Sequence, residues 1–218
     1  MRPGPRRSIS QVDIVDAAFR ILEEKGFAAV SVRGVAAALG LTPTAMYTYF
    51  ASKNALLRAM VEQLLSTIDL GAASDARLAW RDRVGALAGA LRARLAEHTG
   101  AMVLMTSGPL DGPHALGLNE ALIAGFTAEG MPPADAARAA HAVRAYVLGV
   151  AAIDAAERAG DGATSVGSTG PEALWTDAAR FPLTAATADA ARADDAFRWG
   201  LDRLFDGLVA VPAALSAS

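Results

Sequence analysis

From residue 31 to residue 53 the chain reads Ser31-Val-Arg-Gly-Val-Ala-Ala-Ala-Leu-Gly-Leu-Thr-Pro-Thr-Ala-Met-Tyr-Thr-Tyr-Phe-Ala-Ser-Lys53. Its punctuation is dense. Ser31 is suited to cap a short helix whose inner face is Val35, Ala36 and Leu39, and Gly40 supplies the stop. Only Leu41 intervenes before Thr42, a second N-cap, and Pro43, which sits at the first helical position where its missing N–H costs nothing. The second helix ends near Phe50, and Ser52 caps a further one.

Two short helices, Ser31 to Leu39 and Thr42 to Phe50, joined through Gly40 and Leu41, form a helix-turn-helix arrangement, in which the second helix enters the major groove of DNA. The second helix carries five hydroxyls, on Thr42, Thr44, Tyr47, Thr48 and Tyr49, and no acidic side chain. Hydroxyls donate to phosphate oxygens, and threonine methyls touch the thymine methyl; a carboxylate in the same place would repel the duplex. Arg33 can pair bidentately with a guanine, and Lys53 can hold a phosphate from the first turn of the next helix. Met46 and Phe50 read instead as core of the small helical subdomain.

Outward from this stretch the pattern stays helical. A first helix starts at Ser10, with Asp13 as its capping-box partner, buries Val15, Ala18, Phe19 and Leu22, and ends at Gly26. The helix capped by Ser52 carries Leu57, Met60, Val61, Leu64 and Ile68 and is expected to run to about Gly71. At about 1.5 Å per residue, that makes a connector of about 30 Å. Further helices are expected over Asp75 to His98, Ala101 to Met105, Pro113 to Glu129, Pro133 to Arg158, Pro171 to Phe181 and Ala193 to Val211, with a Gly-, Ser- and Thr-rich loop from Gly160 to Gly170. The fold class is all-α.

Charge divides the chain of 218 residues. Its total is −3, yet residues 1–58 carry eight basic and four acidic side chains, a net +4, leaving −7 for the remainder. A phosphate-seeking head on an acidic body has this asymmetry, as does an enzyme with a basic leader. The absence of cysteine excludes disulfides, thiolate metal sites and cysteine nucleophiles. No 18-residue apolar run is evident, the most apolar stretch being Ala145 to Ile153, so no membrane partner is expected. Asp13 and Asp16 interrupt any signal-peptide core behind Arg2, Arg6 and Arg7, and a cytoplasmic location is expected.

Enzymatic constellations are missing from the sequence. His98, His114 and His141 lie far apart with no metal-ligand spacing on one helix. Ser107 lacks a Gly-x-Ser-x-Gly elbow, no phosphate-binding or dinucleotide fingerprint occurs, and Asp194-Asp195 reads as a helix N-terminal charge pair. No catalytic residue, metal or cofactor is assigned.

With Gly26-Phe27, Val35-Ala-Ala-Ala-Leu-Gly40, Tyr47-Thr-Tyr-Phe50 and Lys53 followed by Leu56-Leu57, residues 10–57 resemble the N-terminal domain of the tetracycline-repressor (TetR) family of transcriptional regulators. Gly100-Ala-Met-Val103, Gly125-Phe126, Leu148-Gly149, Ala196-Phe-Arg-Trp-Gly-Leu201 and Gly207-Leu208 resemble, with weaker motifs, the ligand-binding half of the tetracycline repressors. The resemblance implies a basic arm over 1–9, a three-helix DNA-binding domain with helix-turn-helix over 10–56, a helical ligand-binding and dimerisation domain over 57–212 and a tail over 213–218. It also implies a ligand-responsive regulator, usually a repressor, that binds double-stranded palindromic operator DNA as a homodimer. Its DNA-contacting positions fall on Ser31, Val32, Arg33, Pro43, Thr44, Tyr47, Thr48, Tyr49 and Lys53. Dimerisation would pack Pro133 to Arg158 against Ala193 to Val211, with Ala139, Ala142, Gly149, Ala152, Gly200 and Gly207 allowing close approach; the competing reading turns these stripes toward the protomer's own core.

Carried over in the same way, the effector pocket falls on Leu104, Met105, Ser107, Asn119, Leu122, Phe126, His141, Ile153 and Trp175, with His98 near its mouth. The tetracycline binders place a histidine metal ligand where this chain has Leu104 and a carboxylate where it has Ile153. Both departures remove affinity for a magnesium chelate and point to a small hydrophobic or aromatic effector, oriented by Ser107 and Asn119. Glu62 and Asp69 are switch contacts or a solvated face. The alternative function is a helix-turn-helix protein that organises DNA without an effector.

Overall fold

The computed structural model describes residues 9–75, 77–98, 100–161, 178–191 and 195–209, and every regular element among them is helical. Helix α1, Gln11–Lys25, opens on a complete capping box. The Ser10 hydroxyl accepts from the Asp13 N–H at 3.2 Å, and the Asp13 carboxylate accepts from the Ser10 N–H at 2.8 Å. After a single 3-10 turn, Phe27–Ala29, come α2, Val32–Ala38, and α3, Pro43–Tyr49. Between them the Leu41 N–H donates to the Ala36 carbonyl at 2.9 Å and the Gly40 N–H to the Ala37 carbonyl at 3.2 Å. Gly40 holds φ at +65°, the left-handed value this helix-ending turn requires. Ile14, Val15, Ala18, Val35, Met46 and Phe50 bury together beneath this head.

Helix α4, Lys53–Leu65, is shorter than expected. Its stripe of Leu57, Met60, Val61 and Leu64 is buried as the spacing predicts, but the helix stops before Ser66, so it spans about 20 Å rather than 30. Ser66 directs its hydroxyl to the Gln63 carbonyl at 2.9 Å, and Asp69 accepts from the Gly71 N–H at 2.7 Å; such side-chain bonds compete with helix continuation. A four-residue turn, α5 (Gly71–Ser74), follows. Asp75, expected to begin the next helix, instead takes the Arg77 N–H and guanidinium, and α6 starts later, at Trp80–Ala96.

Helices α7 (Ala101–Ser107), α8 (Pro113–Thr127) and α9 (Pro133–Asp161) come next. α9 continues through Gly160, where a loop was expected, and the remainder of that loop lies outside the described residues. Of the helix expected over Pro171 to Phe181, residues 171–177 lie outside the described residues, 178–180 form a turn and Phe181 is not helical. A helix absent from the sequence reading follows, α10 (Pro182–Ala191), and α11 spans Ala196–Val209. Pro182 explains the shift: it disfavours helical backbone at Phe181 and is itself suited to the first helical position.

α4 packs on α1, α7 and α8, while α6, α8 and α9 form the body, closed by α11 against α6 and α9. At the body's centre Trp80, Phe126 and Phe205 meet in tilted and edge-on contacts with centroids 5.2–6.3 Å apart. Ala136, Ala139, Ala140, Val143, Val147 and Ala151 turn one face of α9 into this core. Leu122 is buried here, so Leu122→Ala is expected to lower unfolding free energy by about 2–5 kcal/mol, and Leu116→Ala on the exposed side of α8 by under about 0.5. Denaturant titration at fixed protein concentration compares the two directly.

Candidate nucleic-acid interface

Helix α3 has two unlike faces. Met46 is fully buried and Phe50 nearly so, which fixes the helix, packed on α2, in the core of the head and confirms both as core. Opposite, Thr44, Tyr47 and Thr48 fall at i, i+3 and i+4, all exposed, with Tyr47 at 50%. Pro43 is exposed beside them, as is Arg33 on α2, and neither Arg33 nor Tyr47 has a hydrogen-bond or ionic partner among the described residues. Lys53, exposed at the start of α4, places its ammonium nitrogen over the Phe27 ring at 5.1 Å from the centroid, a cation–π contact at the surface that fixes where the charge sits. From Lys25 to Val61 the sequence contains four cations and no carboxylate.

The hydroxyls divide by chemistry. Those of Ser31 and Thr42 accept from Gly34 and Ala45 N–H groups at 3.0 and 3.1 Å; as caps they keep their own O–H free to donate. Thr48 donates to the Ala45 carbonyl at 2.6 Å, so its methyl rather than its proton is available outward. Two expectations need correction. Val32 is buried at 6% exposure, and its side chain belongs to the core, because the start of α2 rests on α1. Tyr49 is half-buried and its hydroxyl donates to the Ile9 carbonyl at 3.0 Å, so it is spent within the protein.

α4 is tied to the body at two points that the sequence reading did not pair. The Arg58 guanidinium meets both Asp111 oxygens at 2.6 and 2.7 Å, and this pairing holds the Asp111 carboxyl below its usual range. Glu62, its side chain 15% exposed, accepts from the backbone N–H groups of His114 at 2.7 Å and Ala115 at 3.1 Å, and its carboxylate lies 3.0 Å from the His114 ring. Glu62 therefore supplies from another helix the carboxylate that the start of α8 lacks, and is not a solvated face. Gly112 is required by this approach, since a Cβ there would stand 2.3 Å from the Glu62 carboxyl carbon. Asp69, in contrast, is occupied by its local turn.

The expected effector residues separate. Leu104, Met105, Leu122 and Phe126 share the continuous core, with Asn119 half-buried on α8. Ser107 and His141 are exposed, and Ile153 is 61% exposed, so these three do not line the protomer's interior. The cause is helix phase: Val143, Val147 and Ala151 point inward, and His141 and Ile153, two residues off either end of that row, point away. Trp175 lies outside the described residues. His98 braces α1, away from the expected effector residues: its ring stacks on Phe19 and its Nδ1 lies 2.7 Å from Glu23. These groups border an open cleft of about 480 Å³ between α1, α4 and α6, apart from the expected pocket residues.

The profile described as bacterial regulatory proteins, tetR family, matches residues 14–60, and that of the tetracyclin repressor-like C-terminal domain matches residues 74–211. An HTH-type transcriptional regulator of Saccharopolyspora erythraea is 32% identical over 141 residues, which span 65% of this chain and 59% of that relative. Among solved structures, a possible TetR family transcriptional regulator from Streptomyces coelicolor A3(2) superposes with a TM-score of 0.76 at 30% identity, covering 93% of this chain and all of the other. A structure of BioQ with its natural double-stranded DNA operator gives a TM-score of 0.64 at 28% identity over 94% of this chain and all of that one. With both halves matched, and an exposed helix-turn-helix face free of carboxylates, the chain belongs to the TetR family of bacterial regulatory proteins.

Proposed function

We propose that the protein is a homodimeric repressor that reads a palindromic operator with α3 and releases it on binding a hydrophobic or aromatic small molecule. The observation that carries this reading is the outward surface of Arg33, Thr44, Tyr47, Thr48 and Lys53, with no acidic residue between Lys25 and Val61. Arg33 is positioned for base-edge readout, and Tyr47 and Lys53 for phosphates. One such head is small for specific binding, and two heads about 34–36 Å apart match successive major-groove turns. Occupying a promoter blocks transcription sterically, so repression needs no additional activating surface.

Pairing is supported by α9. Its stretch Pro133–Glu157 has the length and mean hydropathy, 1.2, of a membrane-crossing helix, yet only 28% of that apolar window is buried in the protomer. One face is covered; Gly149, Ala152 and Ile153 are not, and on α11 Trp199 is 67% exposed. Ala139 and Gly200, by contrast, face inward, Ala139 into the core and Gly200 onto Tyr146. A second copy crossing at the outer faces of α9 and α11 covers this surface. A Cβ at Gly149 meets nothing within 4 Å, so Gly149→Arg leaves the protomer intact. Light scattering is expected to show the monomer for this variant, with operator affinity lost although no head residue has changed.

The effector is proposed to enter among Leu104, Met105, Leu122 and Phe126, with Asn119 as the polar anchor, by displacing the closely packed core. Movement at the start of α8 is transmitted to α4 through Glu62 and Asp111, and a coupling of about 1–3 kcal/mol between the two sites is sufficient to change occupancy.

Selection of bound duplexes from a random pool, followed by mobility shift on the intergenic DNA beside its own gene, tests the operator reading. Arg33→Ala is expected to relax preference at one base pair per half-site, by about 1–3 kcal/mol. Lys53→Ala is expected to weaken all duplexes alike and lower the salt slope by about 1 for each phosphate no longer neutralised. Equal binding of selected and scrambled duplexes by the wild-type protein refutes the operator reading.

A further inference from the structure

The open cleft of about 480 Å³ between α1, α4 and the end of α6 has none of the proposed effector residues in its walls. α1 turns Asp16, Arg20 and Glu23 into it at i, i+4 and i+7. Two of these reach across. Asp16 takes the Gln63 side-chain amide on one oxygen at 2.6 Å, and one oxygen of Glu23 lies 2.7 Å from the His98 ring; the second oxygen of each carboxylate has no partner among the described residues. Arg20 meets no carboxylate, although Asp16 stands one turn before it and Glu24 one turn after, and it has no other partner among the described residues. From α6, Arg94 uses its Nε on the Leu64 carbonyl at 3.0 Å and its Nη1 on Glu97, while its Nη2 donates to nothing among the described residues. Phe19 and His98, stacked with centroids 5.0 Å apart, supply an aromatic wall.

The cleft therefore holds unengaged acceptors, on Asp16 and Glu23, together with unengaged donors, on Arg20 and Arg94. Three carboxylates against two guanidinium groups leave it close to neutral, which disfavours a polyanion or a polycation. A small molecule with one positive and one negative group satisfies both sets. An ammonium has three N–H donors for the two carboxylates, which a quaternary nitrogen lacks, and a carboxylate accepts from a guanidinium on both oxygens. Asp16 and Arg20, one helical turn apart, have Cβ atoms about 5–6 Å from each other, so the two charges of the ligand must lie close together. An α-amino acid carries them on one carbon, and the volume leaves room for its side chain beside Phe19 and His98.

We propose that this cleft binds a free α-amino acid, with its ammonium on Asp16 and Glu23 and its carboxylate on Arg20 and Arg94, as a small-molecule site separate from the effector core. α1 belongs to the reading head and α6 to the body, so a ligand held here bridges the two. The proposal depends on neither the operator reading nor the effector reading.

Isothermal titration of the full chain with each proteinogenic α-amino acid tests it. At least one is expected to bind with a dissociation constant of about 1 mM or lower. The deaminated acid and the decarboxylated amine of the tightest binder, each with one charge removed, are expected to bind at least about ten-fold more weakly. R20M and D16N, both at exposed positions of α1, are each expected to weaken the amino acid at least about ten-fold, with far-UV circular dichroism unchanged. E24Q, exposed on the same helix outside the cleft, is expected to leave binding as in wild type. No heat from any amino acid at about 10 mM overturns the site, which is then a solvated cleft only. Wild-type affinity in R20M overturns the assignment to this cleft. Equal binding of the acid or the amine alone overturns the requirement for both charges.

Discussion

A helix begins with backbone N–H groups that have no partner in their own helix, and at the start of α8 two of them are satisfied by Glu62, a carboxylate on α4. The consequence is architectural. Leaving either the carboxylate or the N–H groups unpaired in this half-buried place is costly, so α4 and α8 are held in one relative position. α4 also carries Leu57, Met60, Val61 and Leu64 into the core, and its first turn adjoins the reading head. The orientation of α3 with respect to the body therefore depends on where the Glu62 side chain finds its hydrogen bonds together with the buried stripe that α4 lays into the core.

The head itself is economical in its use of polar groups. Seven-residue helices bring little intrinsic stability, and α2 and α3 persist because each has a side-chain cap and a buried face. Ser31 and Thr42 cap as acceptors and their O–H groups donate to no partner among the described residues, so the groups that stabilise the helices remain able to donate elsewhere. Tyr49 and Thr48 have the opposite arrangement, with their protons committed to carbonyls. Residue type alone does not separate these two cases; the direction of each hydrogen bond does.

Local chemistry made the first 60 residues legible from sequence. The Ser10–Asp13 box, the Gly40 turn, the Thr42–Pro43 start and the core placement of Met46 and Phe50 are all short-range signals, and all are observed. Helix bounds depart from the sequence pattern where a side chain competes with the helix over one or two residues, as at Ser66, Asp69 and Asp75, and where Pro182 is the start signal. The site was less legible than the fold. Val32 and Tyr49 depend on how α1 lies across the head, and Ile153 and His141 on the phase of a long alanine-rich helix whose two faces differ little in composition. The pairing of Arg58 with Asp111 spans 53 positions, and no periodicity reports it.

The two fastenings of α4 differ in their response to the medium. Arg58 and Asp111 meet at the surface, where mobile ions weaken any attraction acting over more than about 8 Å at physiological ionic strength and compete for the pair itself. Glu62 is shielded and bonds to backbone dipoles, which salt affects far less. As electrolyte rises, the outer of the two grips weakens before the inner one does, so the share of the load each carries is set partly by the protein and partly by the solution.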